Sequence, residues 1–388
     1  MENIIISGIN QFKDSAIEKI LEHITAQSGT LLDPTISLCH QCHYHIPAYR
    51  FRLNNKVFIC KHCAVHGTSV HMIESDAEFY DSLVPQKAAW NWDGHVLIEA
   101  SDRCNIDCPH CYHLPDNKIK DVAMTELLDR IKQWPKGVST VMLAGAEASL
   151  RKDFVELSNA ITDMGLDVSV LTNGIKFADE DFAKDLRSSN MIVTFGLNHP
   201  DYIGNPTIRE KQVRGIEYCL EHLSIGYIGY TLVSLAELDY VLNEILNSGW
   251  TPSHFRVRCG SEIGRNATED SVFVSTLYKA IEQWAADNGK SFKRVLDADN
   301  NIYHVVVELE GRLIRVIQWC DETNIDMEEL RSGPWCDFTG EGITNFLHQV
   351  IRRDTLKNKG IMLPDKTPLR YQFGHQYDTT DIFDRSTH

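Results

Sequence analysis

Cys104-Asn105-Ile106-Asp107-Cys108-Pro109-His110-Cys111 sets three thiols on one short stretch, with three and then two residues between them. Cysteine thiolates are the usual ligands of iron–sulfur clusters. Three at this spacing can wrap one face of a [4Fe–4S] cube and leave the fourth iron open to a small molecule. A zinc site or a set of core cysteines is the alternative that residue type alone allows. The flanking sequence favours the cluster, because the apolar run His95-Val96-Leu97-Ile98-Glu99 reads as a strand ending just before the loop.

Downstream, apolar runs alternate with helical patterns. Strands are expected over residues 96–99, 140–143, 168–171, 192–195, 227–233 and 254–258. Helices are expected over 124–133, 154–163, 182–186, 209–222, 236–246 and 271–287. This alternation predicts an α/β fold with a parallel sheet. Six such units match the number in a partial (β/α)6 barrel, and in such barrels functional groups collect at the C-terminal strand ends. Those ends carry Gly145-Ala146-Glu147, Thr172-Asn173-Gly174, Asn198-His199-Pro200-Asp201, Ser234 and Arg258-Cys259. Plain structural roles stand beside functional ones: a helix cap for Glu147, a turn for Gly174, an ion pair for Arg258.

Before the barrel lies a second metal pattern. Cys39-His40-Gln41-Cys42 and Cys60-Lys61-His62-Cys63 are two CxxC pairs seventeen residues apart, with β-like runs at 49–53 and 57–59 between them. Two such knuckles on a hairpin predict a zinc-ribbon or rubredoxin-like module with Zn or Fe in tetrahedral ligation. His66 is also spaced to serve with Cys63, so the fourth ligand is Cys60 or His66. Metal is expected to act first as a staple, since so small a module needs it to fold. An amphipathic helix precedes the module, over about residues 11–27. A connector carrying Trp90 and Trp92 follows it.

Composition narrows the function classes. At 388 residues and 43% hydrophobic content, one large catalytic domain with a small appendage is expected. The net charge of −16 argues against a nucleic-acid backbone as the main partner. No apolar run reaches membrane-span length, and the start lacks the pattern of a secretory signal. Eleven cysteines, seven of them in two clusters, suit metal ligation in a reducing cytoplasm better than disulfides. Near the C-terminus, residues 303–308 and 312–318 flank Glu310-Gly311 as a hairpin. Cys259, Cys320 and Cys336 are dispersed thiols that suit either the core or an auxiliary cluster, and Cys219 falls inside a helical pattern. The tail over 371–388 is polar and rich in His and Asp.

The CxxxCxxC triad and its βα surroundings resemble the radical S-adenosylmethionine (SAM) superfamily. The ribbon segment, with Ile46-Pro47-Ala48 and Lys61-His62-Cys63-Ala64-Val65-His66-Gly67, resembles the group that includes the archaeal pterin methyltransferase and the tetraether lipid synthases. The resemblance implies a cluster on Cys104, Cys108 and Cys111, with SAM chelating the open iron and cleaved reductively to a 5′-deoxyadenosyl radical. It implies His110 against the adenine and Glu147 receiving the SAM amino group, in a Gly145-Ala146-Glu147 version of the family's Gly-Gly-Glu. Thr172, Asn173, Asn198, Ser234 and Arg258 complete the implied SAM contacts. A small-molecule substrate, a reductase such as flavodoxin or ferredoxin, and C-methylation or C–C bond formation follow as expectations. Dehydrogenation, epimerisation, rearrangement or action on a peptide is the alternative. The implied division is an N-terminal helical segment (1–34), the metal module (35–75), the partial barrel (76–270) and a C-terminal α+β extension closing it (271–388).

Overall fold

Helix α1 (Asp14–Ala26) turns Ile20 and Ile24 onto a four-stranded antiparallel sheet. That sheet is β1 (Thr30–Leu38), β2 (His45–Leu53), β3 (Lys56–Cys63) and β4 (Gly67–Glu74), in sequence order. Asn54 and Asn55, both at positive φ, form the tight β2–β3 turn, a conformation asparagine tolerates well. The computed structural model describes residues 14–41, 45–83, 94–108, 111, 113, 115–184, 191–203, 205–259, 272–295, 304–318, 335–337 and 344–345. Cys42, Trp90, Trp92, His110, Cys320 and the 371–388 tail lie outside the described residues.

The larger sheet is built on six parallel strands in chain order: β5 (His95–Ser101), β6 (Thr140–Gly145), β7 (Asp167–Thr172), β8 (Ile192–Leu197), β9 (Ser224–Leu232) and β10 (His254–Cys259). Between and around them run α2 (Ala77–Leu83), α3 (Met124–Lys132), α4 (Phe154–Asp163), the short α5 (Glu180–Ala183), α6 (Pro206–His222), α7 (Leu238–Asn247) and α8 (Val274–Asp287). Local chemistry sets the ends. Asn205 caps α6 through its side chain on the Thr207 amide, 3.0 Å away, and Pro206 starts the helix where its missing N–H costs nothing.

One face of each strand joins the main core. Ile98, Val141, Leu143, Val168, Val170, Val193 and Phe195 pack against Leu127, Ile131, Phe154, Leu157 and Ile216 of the helices. Truncating one of these, such as Leu157→Ala, costs about 2–5 kcal/mol. The opposite strand face carries the polar positions.

The C-terminal extension adds strands to both edges. β11 (Phe292–Val295), β12 (His304–Leu309) and β13 (Arg312–Ile317) form an antiparallel meander, and β13 lies parallel to β10. Glu310 and Gly311 turn between β12 and β13 at φ 49° and 77°, the hairpin anticipated above. At the other edge β14 (Trp335–Asp337) pairs in parallel with β5, and β15 (Thr344–Asn345) pairs with β14. The Asp337 carboxylate accepts from Trp134 Nε1 at 2.8 Å, which ties β14 to the end of α3.

The ribbon docks on α8. The buried Glu74 carboxylate accepts from the Ser275 hydroxyl and amide and from the amides of Ser75 and Asp76. Lys279 pairs with Asp76 beside it. Among the described residues no helix is long and apolar enough to cross a membrane.

Candidate functional site

The loop after β5 is stitched at its stem. Ser101 Oγ donates to Asp121 Oδ1 at 2.7 Å, Arg103 Nε reaches the same oxygen at 3.2 Å, and Arg103 Nη2 pairs with Oδ2. Burial alone would raise the Asp121 carboxyl, but these hydrogen bonds outweigh it and hold the group below its usual range. The outgoing limb is tied to the incoming one. His113, 1% exposed, sets Nε2 at 3.0 Å from Glu99 and 3.1 Å from Asp102. Asn117 Oδ1 accepts from the Cys104 amide at 3.0 Å. None of these stem residues stood out in the sequence. Glu99, an acid inside an apolar strand, is the one sequence signal that could have found them.

Within this frame Cys104, Cys108 and Cys111 lie close enough to influence one another electrostatically. Burial, then neighbouring charge, pushes the Cys104 thiol up to about 11. Cys108 rises to about 12 for the same reasons. Two amides point at the sulfurs: Asn198 Nδ2 is 3.0 Å from Cys108 Sγ, and Asn173 Nδ2 is 3.9 Å from Cys104 Sγ. The fold thus brings Asn198, at the end of β8, and Asn173, at the end of β7, to the triad.

Glu147 sits at the end of β6, 1% exposed. Its Oε1 accepts from Ser149 Oγ at 2.5 Å and Thr172 Oγ1 at 2.7 Å, and its Oε2 from the Asn173 amide at 2.7 Å. Burial raises its pKa against those bonds. It also caps the short turn at Ala148–Leu150, the structural role noted above, and it feels the Cys104 charge. Gly145 has φ 115°, and a Cβ there would meet the Ser101 carbonyl at 2.4 Å. With the Ala146 amide bonded to that same carbonyl at 2.8 Å, the ends of β5 and β6 are locked together.

The remaining strand-end residues are more dispersed. Ser234 is exposed and opens the 3₁₀ turn Leu235–Glu237, which leads into α7, in a capping box with Glu237. Arg258 Nε donates to Thr231 Oγ1 at 2.9 Å. His199 stacks edge-on with Tyr240 at 4.6 Å and accepts from the Asp201 amide. Cys219, Cys259 and Cys336 are buried, the first two within the main core. No metal-capable set among the described residues includes them.

In the ribbon, Cys39, Cys63 and His66 bring one ligand atom each to within 4.8 Å of one another. Cys60, anticipated as a ligand, packs instead with Ile20, Ile24 and Phe51 under α1. The reason is strand periodicity: Cys60 and Cys63 are three apart on the continuous strand β3, so they face opposite sides. His66, on the turn before β4, takes the position beside Cys39 and Cys63, at 3.4 and 3.5 Å.

Comparisons with known proteins cover the regions that hold both sites. Residues 98–243 match the radical SAM superfamily, and residues 31–75 match the HMPTM N-terminal zinc ribbon domain. The chain is 25% identical over 236 residues to 7,8-dihydro-6-hydroxymethylpterin dimethyltransferase of Methanocaldococcus jannaschii, covering 51% of this chain and 46% of that one. It is 30% identical over 95 residues to GTP 3′,8-cyclase of Haemophilus influenzae, covering 22% and 28%. It is 25% identical over 114 residues to PqqA peptide cyclase of Rhizobium meliloti, covering 27% of each. The aligned part spans less than half the length of each of these relatives.

A radical SAM domain implies a [4Fe–4S] cluster and SAM, and a zinc ribbon implies a metal ion. The donor sets fit. Three thiols that each ligate a different iron need not converge on one point, and amide donors aimed at sulfur suit thiolates. Two thiols and an imidazole within 4.8 Å suit zinc. The chain thus carries a radical SAM domain over residues 98–243, preceded by an HMPTM-type zinc ribbon over residues 31–75.

Proposed function

We propose that the chain abstracts hydrogen from a small-molecule substrate, using a cluster on Cys104, Cys108 and Cys111 with SAM at its open iron, for C-methylation or C–C bond formation. What carries this reading is the meeting of three thiols, two amide donors and a buried carboxylate at adjacent strand mouths. When bound, the cluster and SAM supply a reductively generated 5′-deoxyadenosyl radical. The chain supplies position and exclusion. Asn198 and Asn173 steady the thiolates by donating to sulfur. Gly145, Ala146, Glu147, Thr172, Ser234 and Arg258 hold SAM, with His110 beside its adenine. On Glu147 the oxygen offered is Oε2, which among the described residues takes only the Asn173 amide, whereas Oε1 takes the Ser149 and Thr172 hydroxyls.

In the ribbon, Cys39, Cys42, Cys63 and His66 hold the metal. The division into 1–34, 35–75, 76–270 and 271–388, a flavodoxin or ferredoxin as electron donor, and a cytoplasmic setting belong to the same reading. The dimethyltransferase relative supports methyl transfer. The PqqA peptide cyclase relative favours a second reading, a peptide substrate with the ribbon as its dock.

The test is anaerobic reconstitution with dithionite and SAM, reading iron, sulfide, zinc and 5′-deoxyadenosine. About four irons per chain with slow 5′-deoxyadenosine release supports the reading, and deuterium transfer then identifies substrates. Zinc alone, with no 5′-deoxyadenosine, rejects it.

A further inference from the structure

Strand β10 alternates strictly. Phe255, Val257 and Cys259 enter the core under the helices, so His254, Arg256 and Arg258 face the other way. The same alternation puts Tyr227, Gly229 and Thr231 of β9, Gly196 of β8 and Arg315 of β13 on that face. Register aligns Gly196, Gly229, Arg256 and Arg315 in one row across four strands. Neighbouring strands are about 4.8 Å apart and residues about 3.4 Å along them. Arg256 therefore starts roughly 10 Å across the sheet from Gly196. Asn198, whose amide reaches Cys108 Sγ, stands about 7 Å further along β8 from Gly196.

Arg256 is held in an unusual way. Its guanidinium carbon lies 3.5 Å from the centroid of the Tyr227 ring, and its Nε donates to His254 Nε2 at 3.3 Å. No carboxylate among the described residues lies within ion-pair distance of it. The carboxylate of Glu308 on β12 is paired with Lys293 at 3.0 Å. Burial pushes the Arg256 pKa down, Tyr227 opposes that, and the Arg315 charge adds to it. His254 is pushed down to about 3, by burial first and then by Arg256, Arg315 and His304. Cations crowd one sheet face in a chain of net charge −16. A ring-oriented, half-buried guanidinium is preorganised for a phosphate or carboxylate. Space for one exists: Gly196 is exposed, and a Cβ added there would meet nothing within 4 Å.

We propose that Arg256, with Arg315 beside it in register, anchors an anionic group of the substrate, a phosphate or a carboxylate, on the shelf over Gly196 that leads to the Cys108 end of the cluster loop. This rests on the radical SAM reading above and names the substrate class it requires. The anion fixes one end of a small molecule while the remainder extends toward the site of hydrogen abstraction.

The test is calorimetric titration of the reconstituted full chain at fixed ionic strength, with methyl phosphate as one probe and succinate as the other. Saturable binding of one probe is expected, at least tenfold weaker in Arg256→Gln and largely restored in Arg256→Lys. The probe that binds distinguishes a phosphorylated from a carboxylated substrate. Gly196→Val, whose added atoms enter open space, should keep the fold and weaken the same probe. The proposal is overturned if neither probe saturates, or if binding survives both Arg256→Gln and Gly196→Val. On the same samples, 5′-deoxyadenosine from SAM separates the two readings. Its formation without anion binding removes the anchor alone. Anion binding at Arg256 without it removes the radical chemistry and leaves the anchor.

Discussion

In the ribbon, Cys39, Cys63 and His66 draw three ligand atoms to within 4.8 Å on an antiparallel sheet, whereas the three thiols after β5 form no such set and sit on a loop stitched at its stem. The first arrangement suits one ion whose ligands surround a point. The second suits a polynuclear group whose ligands must stand apart, with Asn173 and Asn198 approaching the sulfurs from neighbouring strands. Preassembly therefore means different things in the two regions: convergence of donors in one, rigidity of the frame in the other.

The largest break in that comparison comes from the triad. Cys104→Ala, Cys108→Ala and Cys111→Ala should each abolish the 4Fe absorption band and leave ribbon zinc intact. Retention of the band in all three would sink the assignment. Next comes the ribbon, where His66→Ala should lose the metal, read as zinc per chain. Cys60→Ala should keep it and lose about 1–2 kcal/mol of stability through the thinned packing under α1. The opposite pattern would restore Cys60 as ligand.

A smaller effect is expected at the stem. Asp121→Asn, which breaks the partly buried pair with Arg103, should cost about 1–3 kcal/mol in urea unfolding at neutral pH. The folded carboxyl is held below its unfolded value. Its contribution is therefore present above an unfolded pKa of about 3.9 and lost as pH falls through the folded one. Variant and wild type should converge in acid; a gap independent of pH would mean the pair is not its cause.

The smallest effect belongs to the ribbon–barrel joint. Burial raises the Glu74 pKa despite its hydrogen bonds, so its contribution is full below the unfolded pKa and lost as pH rises through the folded value. Glu74→Gln keeps an acceptor without the charge. It should change stability by no more than about 1 kcal/mol at neutral pH and flatten the pH dependence above the acid range. A loss as large as that of Glu74→Ala would show that the charge itself holds the joint.

The barrel strands were readable because each is an apolar run with one face in the core, and observed bounds such as Thr140–Gly145 and His254–Cys259 extend the runs by only a residue or two. The ribbon was half readable. Two CxxC pairs suggested two knuckles, but Val57-Phe58-Ile59 continues straight through Cys60 as strand, and the alternation this imposes outranks the motif spacing. The pairing of β14 with β5 had no local signal at all, since it joins segments more than two hundred residues apart. Likewise His113 and Asp121 acquire meaning only once the loop limbs are folded together. The row from Gly196 to Arg315 depends on register across four strands, which no single stretch encodes.

The pairing of β14 with β5 also bears on how the chain is made. Strands β1 to β4 lie within residues 30–74 and can pair as soon as they leave the ribosome. Strand β5 cannot complete its outer edge until Trp335–Asp337 has emerged, and Glu74 cannot meet Ser275 before α8 exists. Throughout most of synthesis the β5 edge, beside the cysteine loop, lacks its final neighbour and can pair wrongly. Cells starved of chaperone capacity should therefore accumulate this protein as misfolded nascent chains rather than as an unloaded but folded enzyme.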